Sequence, residues 1–432
     1  QDYGKTWTDI SQGIPENDYT RVIREDPIRR GLLYAGTETG IYVSFDDGDT
    51  WQSMQANLPI VPAYDLVVKD DDLVAATHGR SFWILDDLTQ LRQIADDLAA
   101  QPFWLFQPRD TCRPAAPFRV QKPASGKNYQ RGVGGYVAYT ASQGPHGNTV
   151  LNILDGGNNP PDGVIVTYYL QDKPQDDVTL SFLDATGELI QSFSSTKNEG
   201  MDHTVAQLVQ AEAGMNRFIW PMRYPDARKV PGDKLMEDRG RGPIAPPGAY
   251  QVRLEVGGGS QTQAFKLVRD PRVTTSQADF DAQFALLMQI RDKLSDTHDC
   301  VNLLRSVRQQ VDEWVKRAAG HTSAEAVSQA AAALQEKLSA IEHVLIQVDY
   351  KGARDRLNLP VKLTAKLSEL TSVVAAGDFA PPQQAYDVYH DISRRIDQPL
   401  QQFEAVIDQD VSAFQHLVQE LGIPAIVPRT SP

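Results

Sequence analysis

The alternation of apolar and polar positions divides the chain into three regimes. Up to about residue 90, short apolar runs with a period of two are separated by Gly, Asp and Asn turns, which predicts strands. Arg21-Val22-Ile23, Leu32-Leu33-Tyr34-Ala35 and Ile41-Tyr42-Val43-Ser44 are such runs, and Tyr64 to Val68, Leu73 to Thr77 and Ser81 to Leu85 follow them. Between about 147 and 270, Val164 to Leu170, Val178 to Leu183, Asn216 to Trp220, Tyr250 to Val256 and Ala264 to Val268 recur at sandwich spacing. This predicts an immunoglobulin- or fibronectin III-like β-sandwich. Residues 91–146, rich in Pro, Gly and aromatics, read as a connector that wraps its neighbours.

Beyond Asp270-Pro271 the period becomes helical. Phe280, Phe284, Leu287, Ile290, Leu294, Val301, Leu304, Val311 and Val315 fall on one stripe, with Ser276 as N-cap and Asp279 in the first turn. A second helix is predicted over 323–348, a third around Leu363, Leu367 and Leu370, and a fourth from Tyr389 to Val418. Pro399 is expected to kink or split the fourth near 395–398. Four amphipathic stretches predict an antiparallel, bundle-like helical domain. Tyr224 to Gly242 reads as an exposed loop with Arg239-Gly240-Arg241-Gly242 at its tip.

One motif repeats. Asp2-Tyr3-Gly4-Lys5-Thr6-Trp7 returns 44 residues later as Asp46-Asp47-Gly48-Asp49-Thr50-Trp51. A period of about 40 to 45 with strand-like content between the copies is that of β-propeller blades. Gly4 and Gly48 permit a positive φ, Asp2 and Asp46 can accept N–H bonds across the turn, and Trp7 and Trp51 can fill the gap beneath it.

These residues resemble the Asp-box, or BNR, repeat of sialidase-like and sortilin-type propellers. Its pattern, Ser-x-Asp-x-Gly-x-Thr-Trp, is met in full by Ser44 through Trp51. The resemblance implies a structural role for Asp2, Gly4, Thr6, Trp7, Ser44, Asp46, Gly48, Thr50 and Trp51 at the blade periphery. The run from His78 to Asp87 resembles the propeller exit of large bacterial BNR-repeat proteins carrying a "glycosyl hydrolase" label, and the likeness extends to the C-terminus. Gly214 to Trp220 with Pro246-Pro247-Gly248-Ala249-Tyr250 resembles the Ig-like module of secreted bacterial proteins, although relatives carry Asp where this chain has Pro221.

The chain thus reads as multidomain β plus α. Residues 1–90 would be the final blades of a truncated β-propeller, 91–146 a connector, 147–270 an Ig-like sandwich, and 271–432 a four-helix bundle-like domain. Residues 1–90 hold at most two blades, whereas closure needs roughly four or more. The upstream blades of a parent chain are therefore expected as partners.

Composition narrows the chemistry. The net charge is −14, −8 before residue 276 and −6 from it, so no basic region supports nucleic-acid binding. No apolar run reaches the roughly 18 residues of a membrane span. Cys112 and Cys300 lack metal-ligand spacing and read either as buried free thiols or as an interdomain pair. Glu342-His343 are adjacent on a helix, hence about 100° apart, and His298, His390 and His416 show no partner, so neither a metal nor a cofactor is expected.

His78 and Arg80, flanking Gly79, are the ligand candidates, an anion-binding pair. Otherwise Arg80 ties blade to blade through Asp86 or Asp87. No catalytic residue is assigned. The reading is an exported, periplasmic or extracellular bacterial protein whose propeller binds a protein, peptide or glycan. The alternative is a secreted glycoside hydrolase with its carboxylate pair in upstream blades. Asp65, Asp70 to Asp72, Asp86 and Asp87 are the acids present here, and Arg80 alone cannot form a sialidase arginine cluster. An exposed stripe on the helical domain would serve homo-oligomer formation.

Overall fold

The computed structural model describes residues 3–95, 97–113, 126–132, 135–143, 149–154, 157, 160–196, 207–233 and 240–423. The architecture is mixed β and α. The chain forms two compact units, one of residues 1–111, 120–221 and 249–266, the other of 112–119, 222–248 and 267–432.

In the first unit, β1 (Thr20–Glu25), β2 (Leu33–Thr37), β3 (Ile41–Ser44) and β4 (Gln52–Ser53) make an antiparallel sheet in sequence order. A second sheet, β5 (Ala63–Lys69), β6 (Asp72–Thr77) and β7 (Phe82–Leu85), follows the same plan. Period-two alternation sends every second side chain to one face. Val22, Tyr34, Ile41 and Val43 from the first sheet thereby meet Leu66, Leu73 and Ala75 from the second in one dry core, closed by Leu88 just before the short helix α1 (Thr89–Gln93).

The segment read as a connector supplies β8 (Phe103–Leu105), β9 (Thr111–Arg113), β10 (Gly126–Gly132) and β11 (Gly135–Gln143). With β12 (Thr149–Ile153), the strands β10 and β11 form an antiparallel meander. β13 (Val164–Leu170), β14 (Val178–Leu183), β15 (Leu189–Ser194), β16 (Gly214–Trp220), β17 (Gly248–Val256) and β18 (Gly259–Arg269) complete two more sheets, ordered β16-β13-β8 and β15-β14-β17-β18-β9. Val164, Val166, Tyr168 and Leu170 alternate inward from β13. Phe182 of β14 stacks on Trp220 of β16 with ring centroids 4.7 Å apart, and Phe193 lies 4.8 Å from Phe218. Burying such large side chains stabilises the fold by about 1.5–3 kcal/mol each.

The second unit is built on α2 (Gln277–Ala318), α3 (Ala324–Leu345), α4 (Leu363–Val374), α5 (Gln383–Ala405) and α6 (Ser412–Glu420). Ser276 caps α2, its Oγ accepting from Asp279 N at 3.2 Å and donating to Asp279 Oδ2 at 2.8 Å. The apolar stripes meet in one core that includes Leu287, Ile290, Leu294, Leu334, Leu338 and Ile396.

Of the two alternatives at Pro399, kink or split, the split fails, and the exposed loop at 224–242 fails too. Helix α5 runs through Pro399 without splitting, and a π-helical turn, Val406–Val411, comes seven residues later before α6. Pro399 is itself buried, so packing holds the helix together where its backbone lacks a donor. The described part of Tyr224–Gly242 is not an exposed loop either. Ala227 and Val230 are about 5% exposed and sit in the helical core, because polar residues along α2 bind the backbone between them.

Cys112 is exposed and Cys300 half-buried, and both thiols are free, which corrects the expectation of two buried ones. Burial, with Glu404 nearby, pushes the Cys300 thiol up to about 12.

Candidate functional site

The complete copy of the repeat is a tightly wired turn. Ser44 Oγ donates to Asp46 Oδ1 at 2.7 Å and accepts from Gly48 N at 2.9 Å. Asp46 in turn accepts from Thr50 N at 2.9 Å and from Thr50 Oγ1 at 2.6 Å. The Thr50 hydroxyl and N–H hold the Asp46 carboxyl below the usual carboxylate range. Gly48 has φ +96°, which favours glycine, and a Cβ there would meet Ile10 Cδ1 at 3.0 Å. Trp51 is 5% exposed; its indole N–H donates to Ile10 O at 2.6 Å and its backbone N–H to Gln12 O at 2.8 Å.

The first copy differs. Asp2 lies outside the described residues. Gly4 keeps φ +79°, but Trp7 is 90% exposed. The segment on which Trp51 docks has no counterpart over Trp7 among the described residues.

His78 and Arg80 are both exposed, on the turn between β6 and β7, with Gly79 at φ +91° and Ser81 at φ +65°. The His78 ring stacks on Tyr64 at 5.0 Å, and Arg21 covers the Tyr64 ring at 5.2 Å. The Arg80 carbonyl accepts from Trp83 Nε1 at 3.0 Å. The expected tie from Arg80 to Asp86 or Asp87 is not formed: Asp87 Oδ1 accepts from Thr89 N at 3.1 Å instead.

Sequence reasoning missed a buried ion-pair network. Arg92 of α1 places its Nε 3.0 Å from both carboxyl oxygens of Asp26 and its Nη1 2.5 Å from Asp71 Oδ1. Arg109 continues the chain to Asp71 at 3.4 Å and Asp72 at 2.8 Å. Burial alone would raise the Asp26 carboxyl, but the N–H groups of Arg29 and Ile28 and the Arg92 guanidinium outweigh it and hold it low. At Asp86 burial, then Asp72, raises the carboxyl above the usual range, and the charges of Arg109 and Arg217 offset this only in part.

The second sheet leaves one face bare. Cross-strand register sets Leu66 beside Ala75 and Trp83 on the face toward the shared core. The next row, Val67 beside Val74 and Ile84, points the other way, as do Ala76 and Phe82. On that outer face Val67 is 49%, Ile84 58% and Phe82 72% exposed, and β7 is an edge strand. Asp65 borders this apolar row, and an exposed apolar row beside an unpaired edge marks an interaction surface. Covering those three side chains fully would be worth about 1.5–3 kcal/mol each.

No helix of the described residues is long and apolar enough to cross a membrane. Among those residues no group of three His, Cys, Asp or Glu side chains converges as metal ligands would. No family model matches the chain, and no curated protein matches it.

Proposed function

We propose that the chain is the non-catalytic C-terminal portion of an exported, propeller-based binding or scaffold protein that recognises a protein, peptide or glycan. In this reading the sheets β1–β4 and β5–β7 are consecutive propeller blades. The two aromatic-filled sheets around β13 and β14 are an Ig-like sandwich, and the helices are a bundle.

The observation that carries the reading is the bare face formed by Val67, Ile84 and Phe82. The inner face of the same sheet packs on its neighbour, so stacking is already this sheet's mode of burial, and the outer face suits another layer. The wired turn at Ser44–Trp51 supports the resemblance to Asp-box repeats.

Three of the acids in this chain are unsuited to glycoside hydrolysis. Asp65 pairs with Arg24 at 2.6 Å, and Asp71 and Asp72 are held by Arg92 and Arg109. These three are committed to arginines, whereas Asp86 and Asp87 are not, and the hydrolase alternative places its carboxylate pair in upstream blades.

The test uses the protein from its natural source on immobilised glycans and peptides, with reducing-sugar release followed in parallel. Retention without sugar release is expected. Sustained release of reducing sugar would overturn the reading in favour of a hydrolase.

A further inference from the structure

The chain between β16 and β17, residues 222–247, belongs to the second unit and packs on α2. Its described residues double back on themselves. Ala245 N donates to Met222 O at 2.7 Å, Tyr224 N to Pro243 O at 3.0 Å and Ala227 N to Gly240 O at 2.7 Å. One leg of this loop, residues 225–231, is tied to the helix. Arg291 Nη1 donates to Pro225 O at 3.1 Å, Asn302 Nδ2 to Lys229 O at 2.9 Å and Arg305 Nη1 to Pro231 O at 2.9 Å. Positions 291, 295, 298, 302 and 305 step by four and three and so share one face of α2.

The centre of the leg is Arg228, which α2 holds at three points. Its N–H donates to Ser295 Oγ at 3.2 Å, and its carbonyl accepts from His298 Nδ1. Its guanidinium lies 2.6 Å from Asp299 Oδ2 and 3.4 Å from Asp296 Oδ1. These ion pairs face solvent and contribute little. His298 is the buried anchor, 2% exposed.

With Nδ1 donating to a carbonyl, the neutral ring keeps its proton there, and the second proton of a charged ring must sit on Nε2. Nε2 is sealed from water and has no hydrogen-bond partner among the described residues. A charged ring therefore satisfies Nε2 by turning out of its pocket, which breaks the bond to the Arg228 carbonyl. The charged groups that act on the ring are Arg228 and Asp233 of the loop and Asp299 of α2 itself. Arg228 repels the proton. The two acids and the Arg228 carbonyl attract it, and burial outweighs them. Asp299 can receive the charged ring only in competition with Arg228, so that route loosens the same anchor.

We propose that residues 225–231 form an acid-released clasp on α2: proton uptake by His298 opens the Arg228 anchor and lifts the leg, uncovering the flank of the core behind Ala227 and Val230 while the helices stay folded. Of the buried members of the helical core, only Ala227 and Val230 come from this loop, so the helices keep nearly all their packing. The clasp does not depend on the propeller reading.

In the lifted state His298 is in water and titrates near its ordinary value of about 6.5, whereas the clasped ring takes the proton only at lower pH. The stabilisation of the clasp is therefore fully present above that value and is lost as pH falls below it, by about tenfold between about pH 7.5 and 5.5.

The experiment is amide hydrogen exchange of the full chain, referenced at each pH to the intrinsic rate, with Arg228 reporting on the clasp and Leu338 on the helices. Protection at Arg228 is expected to fall about tenfold over that range while Leu338 keeps its own. His298→Gln retains a donor for the Arg228 carbonyl and cannot charge, so its Arg228 protection should stay level. Asn302→Ala removes a neighbouring contact and should lower protection at every pH with the tenfold slope intact. Constant protection at Arg228 in the parent chain would overturn the proposal. So would a fall shared by Leu338, which marks global unfolding, or an undiminished fall in His298→Gln, which marks another titrating group.

Discussion

Arg92 and Asp26 form a nearly water-free ion pair, 7% and 0% exposed in their side chains, in which one guanidinium nitrogen lies 3.0 Å from both carboxyl oxygens. The pair joins α1 to the loop after β1, so a residue 66 positions away fixes how the first strand ends. Removing one partner of such a pair leaves a buried charge uncompensated, which costs about 3–5 kcal/mol. Arg92→Ala is expected to lower the urea midpoint accordingly, while Asp26→Asn combined with Arg92→Met loses less. A double variant no better than the single one would contradict this.

The same carboxyl sets an acid limit. Because the folded state holds Asp26 below its unfolded value, its contribution is complete above the usual carboxylate range. It is lost as pH falls through the lowered value. The acid-unfolding curve of Asp26→Asn should therefore be flatter than that of the parent chain below about pH 4.

His298, which donates to the Arg228 carbonyl, makes the contact of α2 with the 225–231 segment pH-sensitive. Burial first and foremost lowers its pKa below 6.5, against the Arg228 carbonyl and the acids Asp233 and Asp299, which favour the charged ring. The unfolded chain takes up the proton near 6.5 and the folded chain only at lower pH, so stability falls as pH drops below 6.5. His298→Gln should remove this dependence between about pH 7 and 5 and cost about 1–3 kcal/mol at pH 7.5. A thermal midpoint that keeps its full pH slope in the variant would refute the assignment.

The two tryptophans of the repeat should respond differently in this chain. Trp51→Ala removes a buried, hydrogen-bonded indole and should cost about 3–5 kcal/mol. Trp7, 90% exposed, should tolerate alanine within about 0.5 kcal/mol. Gly48→Ala forces a side chain to φ +96° against Ile10 and should cost about 1–3 kcal/mol. Equal losses at Trp7 and Trp51 in urea titrations would contradict the docking described for Trp51.

The bare sheet face predicts an association behaviour. At rising concentration the chain should self-associate through Val67, Ile84 and Phe82. Ile84→Lys should suppress this in sedimentation velocity, whereas Leu189→Lys, also exposed but on β15, should not. Equal association by the two variants would place the sticky surface elsewhere.

Legibility in the sequence followed the range of the interactions. The cap of α2 and its stripe are local, so Ser276, Asp279 and the three-to-four spacing announced them. The Ser44–Trp51 turn is wired almost wholly within eight residues and was equally visible. Arg92 reaches Asp26 across 66 residues, and β8 reaches β13 across more than 60, so neither leaves a periodic trace. Arg291, His298, Asn302 and Arg305 leave no trace of their role, because nothing local says that a polar stripe binds backbone. At Pro399 tertiary packing keeps the helix unsplit against a local propensity.

The most direct test of the account is hydroxyl-radical footprinting of Phe82, Ile84 and Trp7 in this chain alone and in the protein from its natural source. The account predicts labelling in proportion to exposure in the chain alone and at least about fivefold protection in the natural protein, where further sheets cover both places. Equal labelling in the two would mean that no layer covers the face, and the propeller reading would fall.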